Sequence, residues 1–222
     1  MRRIVEMSMW TVTQLPSQGK AGYAQSLQMR PLTIGELKDY SALLTKDVET
    51  RFTNLLRKIT REGPPPEELT IGDRDFLLLQ TYINTAGKDI KFDVTCAVCG
   101  SDNKGIEFDL LEFPVKELEA EEQEFDFEEQ TYKVPYLRGS HLMFAEKIGR
   151  NEDKLAVALT YATAGAQLYE SYLNDPGKVA WFLKVRDIEL TYKHGPDYDK
   201  VTFECKECAS ALRFPVIELL SI

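Results

Sequence analysis

Cys96-Ala97-Val98-Cys99 and Cys205-Lys206-Glu207-Cys208 contain the chain's four cysteines, and the fold turns on whether they are two motifs or one. Each pair has the same frame. Phe92 and Val94 lead into the first, with Ile106, Phe108 and Leu110 after it; Val201 and Phe203 lead into the second, with Leu212, Phe214 and Val216 after it. Apolar residues at alternate positions on both sides of a short turn have the period of strands. Each pair is therefore placed at the tip of a β-hairpin, a knuckle. A two-residue spacer lets both thiolates of one knuckle face the same ion, and two knuckles complete the tetrahedral four-sulfur shell that structural zinc prefers. That shell leaves no position for water or substrate, which points to a structural ion and away from metal-assisted hydrolysis.

Cys99 and Cys205 stand 106 positions apart, far beyond the roughly 15 to 20 residues of a compact ribbon. Closing a loop of roughly one hundred residues costs on the order of 4 to 5 kcal/mol, whereas zinc contributes about 10 to 16 kcal/mol in small fingers. Binding outweighs closure. The competing readings are two disulfides, a redox Cys-x-x-Cys, or four free thiols, and iron fits the same shell as zinc. Because all the cysteines fall into two matched knuckles, the expectation is one structural zinc held by Cys96, Cys99, Cys205 and Cys208.

With 222 residues, 43 % of them hydrophobic, the chain can bury a proper core. Met1-Arg2-Arg3-Ile4-Val5-Glu6 is basic but lacks the apolar region of a signal peptide, and no stretch approaches a membrane span. The expected setting is a reducing cytoplasm, which suits thiolate ligands better than disulfides. Lys+Arg 27 against Asp+Glu 36 gives a formal charge of −9, a field that repels phosphate and argues against binding nucleic acid by counterion release. The acidity is concentrated from Glu107 to Glu129, where Lys116 is the only basic residue. Such a run is ordinarily a solvated face; its functional reading is a docking surface for a basic protein partner.

Residues 1–33 read as an extended arm or hairpin that adds strands to the body or to a neighbour, turning at Pro16-Ser17-Gln18-Gly19. Residues 34–87 read as helical. Thr33 and Glu36 have capping-box spacing, and Leu37, Tyr40, Leu44, Val48, Phe52, Leu55, Leu56 and Ile59 share one face of a long amphipathic helix, stopped at Gly63-Pro64-Pro65-Pro66. Thr70 caps the next helix and Gly87 ends it. The first knuckle occupies 88–113. Residues 114–194 form an insertion with an edge strand at Glu124-Phe125-Asp126-Phe127-Glu128, a helical stripe at Leu155, Leu159, Ala162 and Ala166, and a helix opened by Asp175-Pro176 and ended by Gly195. That last helix carries Trp181, Val185, Ile188 and Tyr192 on one side, so Trp181 is expected in the core. The second knuckle and a C-terminal strand fill 195–222.

Leu15-Pro16-Ser17-x-Gly19, then Arg30-Pro31-Leu32-Thr33 opening a helix, then Leu69-Thr70-x-Gly72-Asp73-x-Asp75-Phe76-Leu77-Leu78, then a strand into Cys96-x-x-Cys99 follow one another in a telling order. This order resembles the baseplate hub and hub-assembly proteins of contractile-tailed bacteriophages of the T-even type. The similarity covers most of residues 15–113, and the final knuckle agrees with the paired-cysteine forms of that family. It implies a component of the virion tail baseplate, assembled in the host cytoplasm, whose partners are other baseplate and hub proteins.

Enzymatic motifs are missing. There is no P-loop, dinucleotide fingerprint, nucleophile elbow or His-Glu-x-x-His helix, and His141 and His194 have no recognisable metal or nucleophile partner in sequence. The fold expected is α+β: a helical core with a split four-cysteine zinc ribbon and a helical insertion between the knuckles. The function expected is a non-enzymatic structural or assembly component, without small-molecule substrate or membrane contact. The alternative is a zinc-ribbon adaptor for nucleic acid or a polymerase, disfavoured by the negative charge and the lack of a basic aromatic groove.

Overall fold

Leu15, Leu27, Met29 and Leu32 of the N-terminal stretch are buried, although Val12 is exposed, so this stretch adds its strands to the body. The computed structural model describes residues 10–41, 47–148, 154–164 and 175–215. Met1–Glu6, Leu44, Ala166 and Val216, which figure in the sequence patterns, lie outside them. Strand β1 (Thr11–Gln14) pairs antiparallel with β2 (Ser26–Met29), and β2 pairs with the short β3 (Thr60–Arg61). The turn between β1 and β2 uses Gly19 at φ 81°, a left-handed conformation that glycine adopts without cost.

Two helices replace the single long helix expected before the prolines. Helix α1 spans Ile34–Ser41 and α2 spans Val48–Ile59, with Asp47 at φ 59° and ψ 40° ahead of α2. A left-handed residue cannot continue a right-handed helix. Asp47 does not cap α2 with its side chain. The Glu146 carboxylate does so instead, accepting from the amides of Glu49 at 3.0 Å and Thr50 at 3.1 Å. An acid at a helix N-terminus satisfies orphan donors and complements the dipole. In α1, Glu36 reaches back to accept from the Thr33 amide at 2.9 Å, which is half of the capping box.

Helix α3 (Ile71–Ala86) begins as its sequence implies: the Thr70 hydroxyl accepts from the Asp73 amide at 3.4 Å, and Gly87, at φ 101°, closes its end. Phe52, Leu55, Leu56 and Ile59 of α2 meet Leu69, Leu77 and the N-terminal strands in one core cluster. Strands β4 (Asp89–Thr95) and β5 (Asp102–Asp109) form the first cysteine hairpin.

The segment between the hairpins has its own core. Strand β6 (Val115–Lys116) is followed by the hairpin of β7 (Gln123–Phe127) and β8 (Gln130–Val134), whose turn residues Glu128 and Glu129 both have positive φ. The acid-aromatic alternation works as charge on one face and core on the other: Phe125 is buried and Asp126 exposed. Helices α4 (Gly139–Ile148), α5 (Lys154–Ala164) and α6 (Val179–Thr191) cover this hairpin, and Trp181, 1 % exposed, packs edge-on to Tyr132 at 6.0 Å. The Asp175 carboxylate caps the short turn Pro176–Lys178 that leads into α6, accepting from Gly177. Helix α6 ends at Thr191, before the Gly195 expected to stop it. Gly195 instead opens the strand β9 (Gly195–Pro196), paired with β6. Strands β10 (Thr202–Glu204) and β11 (Ala211–Arg213) form the second cysteine hairpin.

The end of α6 is tied to the start of α3. His194 and Gly195 come so close to Gly72 that a Cβ on either glycine would strike backbone of the other segment. Beside them lies a buried polar cluster. Asp73, 0 % exposed, accepts from the Ser17 amide at 2.9 Å and the Tyr23 hydroxyl at 2.5 Å. His194 Nε2 lies 2.8 Å from the Thr70 hydroxyl and 3.6 Å from Asp73, while Nδ1 lies 2.7 Å from the Tyr192 carbonyl. That carbonyl can only accept, which assigns the proton to Nδ1. Burial opposes ionisation of Asp73, but the neighbouring His194 and hydrogen bonds from Ser17 and Tyr23 overcome it and hold the carboxyl below its usual range. The Tyr23 hydroxyl is raised, by burial first and then by Asp73. His141, by contrast, accepts from the Arg138 amide at 3.1 Å at the start of α4, and burial lowers it to about 4.

Candidate metal centre

Both knuckles are built by one turn. The Cys96 amide donates to the Ser101 carbonyl at 2.8 Å and the Gly100 amide to the Cys96 carbonyl at 2.9 Å; the Cys205 amide donates to Ser210 and the Ala209 amide to Cys205, each at 2.9 Å. The residue after the second cysteine is left-handed in each, Gly100 at φ 72° and Ala209 at φ 57°. This turn points both thiols of a pair the same way.

The hairpins meet through aromatic side chains that the strand alternation turns inward. Phe92 of β4 packs edge-on to Phe203 at 5.4 Å and to Phe214 at 5.3 Å, and Phe113 packs on Phe214 at 4.9 Å. Such edge-to-face pairs contribute about 0.5 to 1.5 kcal/mol each beyond area burial. Val94, Ile106, Phe203 and Leu212 continue the layer up to Cys96 and Cys205, which are buried, while Cys99 and Cys208 face outward.

All four cysteine residues expected from the sequence are thereby brought together. Their sulfurs lie within 4.8 Å of one another, and the cross-hairpin pairs Cys96–Cys208 and Cys99–Cys205 are each 3.7 Å apart. A disulfide needs about 2.05 Å, so these are free thiols. A regular tetrahedron with Zn–S bonds of about 2.3 Å has edges of about 3.8 Å, so the donor set and its spacing fit a thiophilic ion.

Three further residues complete the surroundings, and the sequence reading passed over them. Ser101 and Ser210 occupy equivalent places: Ser210 Oγ lies 3.1 Å from Cys96 Sγ and Cys208 Sγ, and Ser101 Oγ lies 3.0 Å from Cys99 Sγ and 3.3 Å from Cys205 Sγ. The signal was available as a repeated Cys-x-x-Cys-x-Ser. Asn103, 1 % exposed, bridges the knuckles, with Nδ2 3.5 Å from Cys205 Sγ and Oδ1 accepting from the Lys206 amide at 3.0 Å. Nothing local in the sequence marks it. Hydrogen bonds from Ser101 and the amides of Cys208 and Glu207, joined by Asn103, pull the Cys205 thiol down to about 5, and Ser210 with the amides of Cys99 and Val98 lowers Cys96. These groups favour thiolate, the form that binds metal.

Fold and site together define a class: a mixed helix-and-sheet protein, with six helices and several small antiparallel sheets among the described residues, in which two sequence-distant hairpins gather four thiols. The family model described as T4 bacteriophage base plate protein matches residues 7–211, and the chain belongs to that family. The match runs through the segment between the knuckles, where the short motifs of residues 15–113 did not reach. No curated protein and no solved structure matches the chain. Membership makes this a T4-type phage baseplate protein. No helix among the described residues is long and apolar enough to cross a membrane.

Proposed function

We propose that this chain is a non-enzymatic structural or assembly component of the hub region of a contractile-tail baseplate, stapled by one zinc ion at Cys96, Cys99, Cys205 and Cys208. The observation that carries the reading is the family match over residues 7–211; the four-thiol cluster supports the staple. Bound zinc would supply a cross-link between two hairpins that are otherwise joined by apolar packing and the hydrogen bonds of Asn103, and no substrate chemistry. The chain's own contribution is to gather the four thiols and to favour the thiolate at Cys96 and Cys205, while neighbouring thiols raise Cys99. Amides within each turn and the hydroxyls of Ser101 and Ser210 stabilise the anions, while Asn103 locks the second knuckle onto the first.

Mass spectrometry of purified phage particles and of tail-assembly intermediates, with cross-linking, tests the function. Recovery in mature tails with cross-links to hub proteins establishes a structural component, and recovery in intermediates alone establishes an assembly factor. Absence from both overturns the reading. Elemental analysis of the purified chain tests the staple: one zinc per chain is expected, and iron or no metal would overturn zinc.

A further inference from the structure

A cavity of about 390 Å³ opens between the start of α3 and the end of α6, walled by Tyr136, Tyr192 and Tyr198 and lined by Asp75, Glu189 and His194. It lies apart from the thiol cluster. Among the described residues, no hydrogen bond reaches the Asp75 or Glu189 carboxyl. The nearby cations have their own partners: Lys193 pairs with Asp199 in the cavity wall at 3.1 Å, and Arg74 with Glu49 at 2.9 Å. His194 bonds Thr70 and Tyr192. Both residues are half-buried, and carboxyls drawn this far from water ordinarily have partners.

Helix α6 carries an apolar row to the mouth of this cavity. Val179, Leu183 and Leu190 are 57 %, 40 % and 56 % exposed, and their spacing puts them on one face of the helix, which Arg186, paired with Asp187 at 3.3 Å, shares. Leu190 itself lines the cavity. An unpaired acidic recess beside an exposed apolar row has the makeup of a protein-docking surface, and its negative charge excludes phosphate-bearing ligands.

We infer that this surface docks a neighbouring protein chain that inserts one basic side chain, arginine or lysine, between Asp75 and Glu189 and lays apolar residues on Val179, Leu183 and Leu190. A guanidinium between two carboxylates forms charge-assisted hydrogen bonds and supplies the missing positive charge. Burial raises both carboxyls, and Asp75, facing Glu49 as well as Arg74, His194 and Lys193, rises to about 7. An inserted cation would lower both, so docking strengthens from pH 5.5 to pH 8. The inference rests on the cavity and not on the baseplate reading.

The test uses the full chain, labelled for amide NMR, titrated with acetyl-arginine methylamide and with its neutral citrulline counterpart. Arginine should shift the amides around Gly72, Glu189, Leu190 and Gly195 saturably at concentrations of about 50 mM or below, leaving the cysteine turns still. Citrulline should bind at least about tenfold more weakly, and both Glu189→Gln and Asp75→Asn should weaken arginine by a similar factor. Equal responses to arginine and citrulline, indifference to both substitutions, or no shift would overturn the inference. Calcium chloride shifting the same amides at lower concentration than arginine would also overturn it, by assigning the carboxyls to a metal. The particle mass spectrometry described above is unaffected by any of these results.

Discussion

Two ties return the chain to its first half, and they are made of different chemistry. At one end, Cys205 and Cys208 meet Cys96 and Cys99 through sulfur. At the other, His194 meets Thr70 and Asp73, with Ser17 and Tyr23 completing the hydrogen bonds. The thiol tie needs something from outside the chain, because four thiols at tetrahedral spacing hold together strongly only around an ion. The polar tie is complete in itself. A metal can be removed without touching the polar cluster, so the two ties are separable by experiment.

The largest effect is expected from Cys205→Ser. It should abolish stoichiometric metal and lower Tm by more than about 10 °C, with hydrogen-exchange protection lost from both β4–β5 and β10–β11. Chelation of the wild type should reproduce this loss. Unchanged metal content and Tm would show that the thiol end is no staple.

Asp73→Ala comes next. It strands the buried Ser17 amide, at about 1 to 3 kcal/mol, while the Tyr23 hydroxyl keeps Thr70, and chemical denaturation should register the loss while metal content stays intact. Because the folded-state pKa of Asp73 is depressed, its stabilisation is fully present above the unfolded value of about 3.9 and is lost as pH falls through the folded pKa. In the alanine variant that acid-side loss should shrink. If Asp73→Ala also releases the metal, the two ties are one cooperative unit.

Asp75→Asn works in the opposite direction. With a folded pKa raised to about 7, Asp75 keeps its proton between about pH 4 and 7 where the unfolded chain has lost it. Wild-type stability therefore falls across that window and levels off above it. The asparagine variant should match the wild type near pH 4 and exceed it at pH 8, as thermal melts at the two pH values would reveal. A variant that is no more stable at pH 8 would mean that the carboxylate has a partner.

The smallest effect compares the two knuckles themselves. Ala209 holds the left-handed conformation that Gly100 holds in the first turn, so Ala209→Gly should stabilise by about 0.5 kcal/mol, and Gly100→Ala should cost about 1 kcal/mol. Denaturant midpoints would measure both. Equal and opposite shifts would mark the turns as equivalent.

Much of the chain was legible because the signal was local. Thr70 and Gly87 delimit α3, Asp175-Pro176 leads into α6, and Trp181, Val185 and Tyr192 share the buried side of α6. The single helix expected before the prolines failed at Asp47, where apolar periodicity continued across a residue whose backbone leaves the helix. Its cap, Glu146, comes from nearly one hundred positions away, which no window on the sequence contains.

Most elements and the matched knuckles could be read from the chain alone, because strand alternation, turn chemistry and cysteine spacing act over a few residues. It also carried the family, through motif order. Only the tertiary structure decided that Asp73 meets His194, that Asn103 bridges the knuckles, and that Asp75 and Glu189 face one cavity. The physical reason is that a buried polar group takes whichever partner packing brings within hydrogen-bond reach, and packing, unlike periodicity, has no fixed separation along the chain.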